Sequence, residues 1–176
     1  MKRLYAMLFA IGLGVSLTAT GALVTASRGG GHDDDDEDEF KAKLTGFQET
    51  PAISTTGNGR FRANLSADGT TLTFTLTYSD LSGGAATAAH IHLGQRGVAG
   101  GVSVFLCGGA KPACPGVAGT VTGTRTAADV IGPSGQGIAA GELAELVAAM
   151  QAGVTYVNVH NAMYPGGEIR GQITGD

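Results

Sequence analysis

Between Thr71 and Tyr78 the chain alternates without a break: Leu72, Phe74, Leu76 and Tyr78 are separated by threonines. A period of two is the mark of a strand with one face buried and the other in water, and β-branched Thr suits the wet positions. Such a strand needs partners on its edges and a second layer over its apolar face. The rest of the chain supplies candidates. Phe40–Gly46 alternates, and Gly59–Ser66 turns Phe61, Ala63 and Leu65 inward. Ala88–Leu93, Val102–Cys107, Val117–Thr124, Val154–Asn161 and Glu168–Thr174 read as further strands. Turns separate them, at Ala67-Asp68-Gly69-Thr70, in the Gly-rich 80–87, at Gly94–Gly101 and at Pro165-Gly166-Gly167. With 30 Gly and no Trp, composition favours short strands and many turns over a helical bundle. One segment departs from the pattern. In Ala139–Ala152, Leu143, Leu146, Val147 and Met150 recur at helical steps, with Glu142 in the first turn and Gly153 placed to end the helix. The expected fold is all-β: a single antiparallel β-sandwich or barrel, Greek-key-like, of about eight strands, with one short helix near the C-terminus as a lid over an open end.

The two ends of the charge distribution are not part of that domain. Lys2 and Arg3 precede an apolar run, Leu4–Leu17, and Val24-Thr25-Ala26 fits a cleavage site before Ser27. Residues 1–26 read as a signal peptide; the alternative is an uncleaved anchor, the only way the sequence offers to touch a membrane. Either way the domain lies outside the cytoplasm, secreted or periplasmic. Residues 27–39 read as a disordered linker, flexible at Arg28-Gly29-Gly30-Gly31 and self-repelling from Asp33 to Glu39. A solvated spacer is favoured over loose cation binding, because an unstructured run lacks the ordered ligand set of a calcium site. Gly30-Gly31-His32 would chelate copper only from a free terminus at Gly30, which the cleavage signal does not produce. The domain itself, 40–176, carries eight acids and eight Lys/Arg. Its neutrality argues against nucleic acid as a partner. Cys107 and Cys114 enclose a turn-rich loop, and an oxidising compartment makes a disulfide between them the default, worth about 2.5 kcal/mol in the chain-entropy model. A redox pair or metal thiolates are less favoured, since the spacing is not C-x-x-C.

The unusual chemistry sits at the end of the chain. In Tyr156-Val157-Asn158-Val159-His160, alternation sends the valines to one face and Tyr156, Asn158 and His160 to the other; after the turn, Glu168 and Arg170 share a face. The other histidines of the domain, His90 and His92, have the same two-residue spacing. On a strand they point to one side, about 6.6 Å apart, and imidazoles reaching about 2 Å to a metal can converge from there. With His160 on a neighbouring strand they would form a three-nitrogen copper or zinc site with an open position. The competing reading is structural, and is favoured: histidines bonded to backbone carbonyls, to Asn158 or to Glu168 lock the hairpin against the H-x-H strand. Glu168 and Arg170 likewise read as a pair bridging to neighbouring strands.

Four blocks carry a resemblance: Leu44-Thr-Gly-Phe-Gln-Glu-Thr-Pro51, Ala89-His-Ile-His-Leu-Gly94, Tyr156-Val-Asn-Val-His160 and Tyr164-Pro-Gly-Gly-Glu-Ile-Arg-Gly171. In content and order they resemble the CHRD domain, the module first named from chordin, over Phe40–Ile173. The resemblance implies an extracellular β-rich module, often alone behind a signal peptide in bacteria, with no established catalytic activity. Thr50-Pro51 departs from the usual Val-Pro-Pro, Asn161 replaces a common Thr, and the cysteine loop looks like a local addition. The order H-x-H, V-x-V-H, Arg-Gly is also similar to that of copper-zinc superoxide dismutases. No histidine lies between His92 and His160, however, so the bridging ligand and zinc site of that family have no counterpart.

Two functional classes follow. The first is a non-catalytic extracellular or periplasmic module that binds an extracellular protein or surface ligand, with no cofactor. The alternative is a copper- or zinc-binding protein with His90, His92 and His160 as ligands, dismutase-like in geometry. A nucleophilic hydrolase is disfavoured by the lack of G-x-S-x-G and of a free thiol. Exported protein should begin near Ser27; intact mass that retains residues 1–26 would contradict the cleavage reading.

Overall fold

The computed structural model of the chain describes residues 39–175. The segments expected to be a signal peptide and a linker, up to residue 38, lie outside the described residues. Glu39 lies inside them and corrects the linker boundary by one residue. It occupies an outward position opposite Asn64 and its carboxylate meets Lys41 at 2.7 Å and Arg62 at 2.9 Å, so it opens the first strand.

The strands are β1 (Glu39–Thr45), β2 (Asn58–Leu65), β3 (Leu72–Ser79), β4 (Ala86–Leu93), β5 (Gly101–Cys107), β6 (Gly119–Arg125), β7 (Thr155–Asn161), β8 (Ile169–Gln172) and β9 (Thr174–Gly175). The helix α1 is Leu143–Gln151. Every pairing is antiparallel, in the order β5-β4-β7-β8-β1-β2-β3-β6, with β9 a two-residue addition beside β1. This is a nearly closed barrel-like sheet. Its inside is filled: Phe40 and Leu44, Phe61, the alternating Leu72, Phe74, Leu76 and Tyr78, then Ile91, Val104, Val157, Val159 and Ile169 form one core. The outward threonines of β3 are exposed, as the alternation requires.

The helix is shorter than its periodicity suggests. Gly141 takes a left-handed φ of +91°, which no helix accommodates, so residues 139–142 form a turn instead. Glu142 is therefore the N-cap rather than a first-turn acid, and its carboxylate accepts the Ala139 N–H at 2.7 Å. Leu143, Leu146, Val147 and Met150 are buried against the core, and Gly153, at φ +67°, ends the helix as expected.

Strands β5 and β6 stand at the two ends of the sheet order and are joined by the loop that carries the Cys107–Cys114 disulfide. A side chain of β6 bridges the gap between them. Arg125 Nε donates to the Phe105 carbonyl and Nη2 to the Leu106 carbonyl, both at 2.8 Å, while the guanidinium lies over the Phe74 ring, 4.8 Å from its centre. A cation here satisfies backbone acceptors that an open sheet edge would leave bare. Arg125→Ala should cost about 3 kcal/mol, since bonds to a charged group contribute about 1.5–3 kcal/mol each. A urea-unfolding change within about 0.5 kcal/mol, the usual size at a surface site, would mean the guanidinium does not hold the edge.

Candidate metal centre

The register of β4 with β7 builds the site. Ala88 pairs with His160, His90 with Asn158 and His92 with Tyr156, so His90 and His160 are diagonal neighbours on one face while Ile91, Val157 and Val159 fill the core from the other. On its second edge β4 meets β5 through two irregularities, between Ala89 and His90 and between Ile91 and His92. Bulges of this kind re-aim side chains. Here they set the Phe105 ring edge-on against His90 at 4.2 Å between centres.

The three rings meet. His90 and His160 are 4.7 Å apart at their centres, His90 and His92 5.3 Å, His92 and His160 5.9 Å. One ring nitrogen from each lies within 4.8 Å of the other two, and any three points so spaced are no more than about 2.8 Å (4.8 Å divided by √3) from a common centre. A metal–imidazole bond is about 2 Å, so shifts of under about 1 Å would bring all three into ligand range of one ion.

The protons are arranged by backbone. His92 Nδ1 lies 3.0 Å from the Gly100 carbonyl and His160 Nδ1 3.0 Å from the Pro165 carbonyl. A carbonyl only accepts, so both rings carry their proton on Nδ1 and present the Nε2 lone pair to the cluster. His90 Nδ1 donates to His160 Nε2 at 3.0 Å. That leaves Nε2 of His90 and of His92 buried without a hydrogen-bond partner. An unmet buried acceptor costs about 1–3 kcal/mol; an ion held by the three rings would meet this cost and would take the His160 Nε2 lone pair in place of the hydrogen bond from His90, while carbonyls keep the outer nitrogens of His92 and His160 anchored. Burial, with the neighbouring His160 adding to it, pushes His90 down to about 3; burial pushes His92 down to about 4, despite the opposing bond to Gly100. Burial lowers His160 as well. All three rings are neutral at pH 7, the form in which imidazole is a ligand.

The polar neighbours divide into two groups. Arg170 lies over the Tyr156 ring, 3.4 Å from its centre, and donates to the carbonyls of Gln95 and Val98 at 2.9 Å. Tyr156 in turn stacks on His92 and accepts the Gly100 N–H at 3.1 Å. Together they hold the 94–100 loop whose carbonyl anchors His92. Arg170 thus reaches the neighbouring strand β7 at Tyr156 and also the 94–100 loop, where its two carbonyl bonds give it a positioning role unlike a free cation at a metal. Asn158 donates to Glu49 Oε1 at 2.8 Å. Glu168 is elsewhere: buried, it accepts from the backbone N–H of Ser82 at 2.7 Å and of Gly83 at 3.0 Å, and from Thr55 and Asn161 side chains. Burial alone would raise its pKa, but these bonds outweigh burial and hold the carboxyl below the usual range. Its partners are loop residues and Asn161 at the end of β7. Of the partners that the structural reading expects for the histidines, backbone carbonyls are present, at His92 and His160, while bonds to Asn158 and Glu168 do not form.

Glu49 is the residue that sequence reasoning passed over. It is buried beside Asn158 and Arg170, and desolvation raises its carboxyl to about 7 against the lowering effects of Arg170 and Asn158. It lies in an aperiodic loop, where no pattern marks a residue as buried; only its place within the first of the four blocks hinted at a role.

The sequence model of the CHRD domain family matches residues 40–173. The chain belongs to that family. No curated protein and no solved structure shows significant similarity to it.

The buried imidazoles carry a pH signature. Unfolded, they titrate near 6.5 and take the proton first, so metal-free protein loses stability as pH falls below about 6.5 toward 4. Glu49 acts in the opposite sense: its folded value, about 7, lies above 4.5, so its contribution is present at low pH and lost as pH rises through 7. Several lowered imidazoles outweigh one raised carboxyl. Urea unfolding of chelator-treated protein should show lower stability at about pH 5 than at pH 7, with a smaller difference in His90→Gln. Equal stability at both pH values would contradict neutral, buried rings.

Proposed function

We propose that this chain is an exported CHRD module that binds one copper or zinc ion through His90, His92 and His160. The observation that supports this most is the convergence of one nitrogen from each ring within 4.8 Å on a buried face, with two of the outer nitrogens committed to carbonyls. Three neutral imidazoles suit borderline metals such as Zn²⁺ and Cu²⁺ and leave a coordination position open. A hard cation such as Ca²⁺ would require oxygen ligands. Export is supported by the N-terminal sequence and fits the Cys107–Cys114 disulfide, and no helix among the described residues is long and apolar enough to cross a membrane.

Untagged full-length protein, recovered after export and gel filtration, should carry or take up one equivalent of Cu²⁺ or Zn²⁺ by elemental analysis. His90→Ala, His92→Ala and His160→Ala should each lose it, while replacement of Asp33–Asp38 by Asn should not. Retention of a full equivalent by all three histidine variants would place the metal elsewhere and return the module to a purely structural or partner-binding reading.

A further inference from the structure

The domain is neutral in total, but its cations are gathered. Of the eight Lys and Arg residues from Phe40 onward, five line one groove of about 500 Å³ on the outward side of β1 and β2: Lys41, Lys43, Arg60, Arg62 and Arg96. The strand register sets them against each other. Lys41 stands directly opposite Arg62, and Lys43 opposite Arg60. Like charges facing across an antiparallel pair weaken the sheet. The core does not need them, since Phe40, Ala42, Leu44, Phe61 and Ala63 supply it from the other face. A neutral solution stands on the next strand, where Thr75 pairs with Arg62 and Thr77 with Arg60. These rows already hold one carboxylate. Glu39 contacts both Lys41 and Arg62, and the Lys43–Arg60 row repeats the arrangement one step along the strands.

The groove offers ammonium, guanidinium and amide groups without an apolar anchor; Phe61, in its floor, is 1% exposed and belongs to the core. Protein interfaces draw their energy from buried aromatic and apolar anchors, and single-stranded nucleic acid stacks its bases on exposed aromatic rings. A hydroxyl-rich chain bearing repeated acidic groups needs neither. We propose that this groove binds an acidic polysaccharide, with its carboxylate or sulfate groups seated between the opposed cations of β1 and β2. The proposal does not rest on the metal reading.

The test uses full-length protein with polygalacturonate and heparin as probes, neutral dextran and poly-glutamate as comparators, and calorimetry across a salt series. Saturable binding to at least one acidic polysaccharide, falling with salt, and none to dextran is expected. The triple variant Lys43→Gln, Arg60→Gln, Arg62→Gln should bind at least about tenfold more weakly, because a concentrated field of one sign is lost. Lys111→Gln, on the disulfide loop, should bind as wild type does. The triple variant should be at least as heat-stable as wild type once the opposed charges are gone, which separates lost binding from lost folding. No binding to either polysaccharide at low salt, or undiminished binding by the triple variant, would overturn the proposal. So would tighter binding of poly-glutamate than of either polysaccharide; that result would make the groove a receptor for acidic peptide.

Discussion

The pairing of β4 with β7 is the contact on which both the core and the site depend. Side chains alternate along both strands, so one register places Ile91, Val157 and Val159 in the core and His90, His92 and His160 together outside it. A one-residue slip of β7 would put His160 into hydrocarbon and Val157 and Val159 against the loops, and a slip of β4 would exchange His90 and His92 with Ile91 in the same way. The hydrophobic effect therefore fixes the histidine geometry without acting on the histidines. What would be a wet face in an ordinary antiparallel sheet is here buried, every residue of β7 included.

That second burial comes from loops, and the loops also orient the rings. The 94–100 segment is held by Arg170 and Tyr156 and brings the Gly100 carbonyl to His92; the turn after β7 brings the Pro165 carbonyl to His160. Two glycines make the approach feasible. A Cβ at Gly100 would sit 1.6 Å from the Leu93 carbonyl oxygen, and one at Gly167, already at φ +123°, would sit 2.0 Å from Asn158 Nδ2. Larger residues at either place would push the covering loops off the imidazoles. In this arrangement Arg170 and Asn158 act on the cluster through the loops and strands they hold, and Tyr156 does so both through the 94–100 loop and by stacking on His92.

Much of this was legible in the sequence, and the failures have physical causes. Thr71–Tyr78 and the other alternating segments read correctly because burial of one face imposes a period of two. The spacing of His90 and His92, and the valines beside His160, showed which faces the rings take; only the β4–β7 register showed that the faces meet. The helical periodicity overruns the helix by five residues, Ala152 and four at the N-terminal end, where Ala139 and Ala140 are helix formers and the conformation of Gly141 is decided by the turn it closes. Glu168 looked like a partner for the histidines because it shares a parity with Arg170. It lies just before β8, however, where the strand pairing has ended and the 82–83 turn offers two N–H donors. Glu49 and the anchoring carbonyls had no signal of their own, since burial by irregular loops leaves no periodicity.

The central claim is that three imidazoles from two paired strands share one ion. X-ray absorption at the zinc or copper edge of the metal-loaded full-length protein tests it most directly. The account predicts about three nitrogen neighbours near 2.0 Å with the outer-shell scattering of imidazole rings. A first shell of oxygens, or one with a single imidazole, would contradict it.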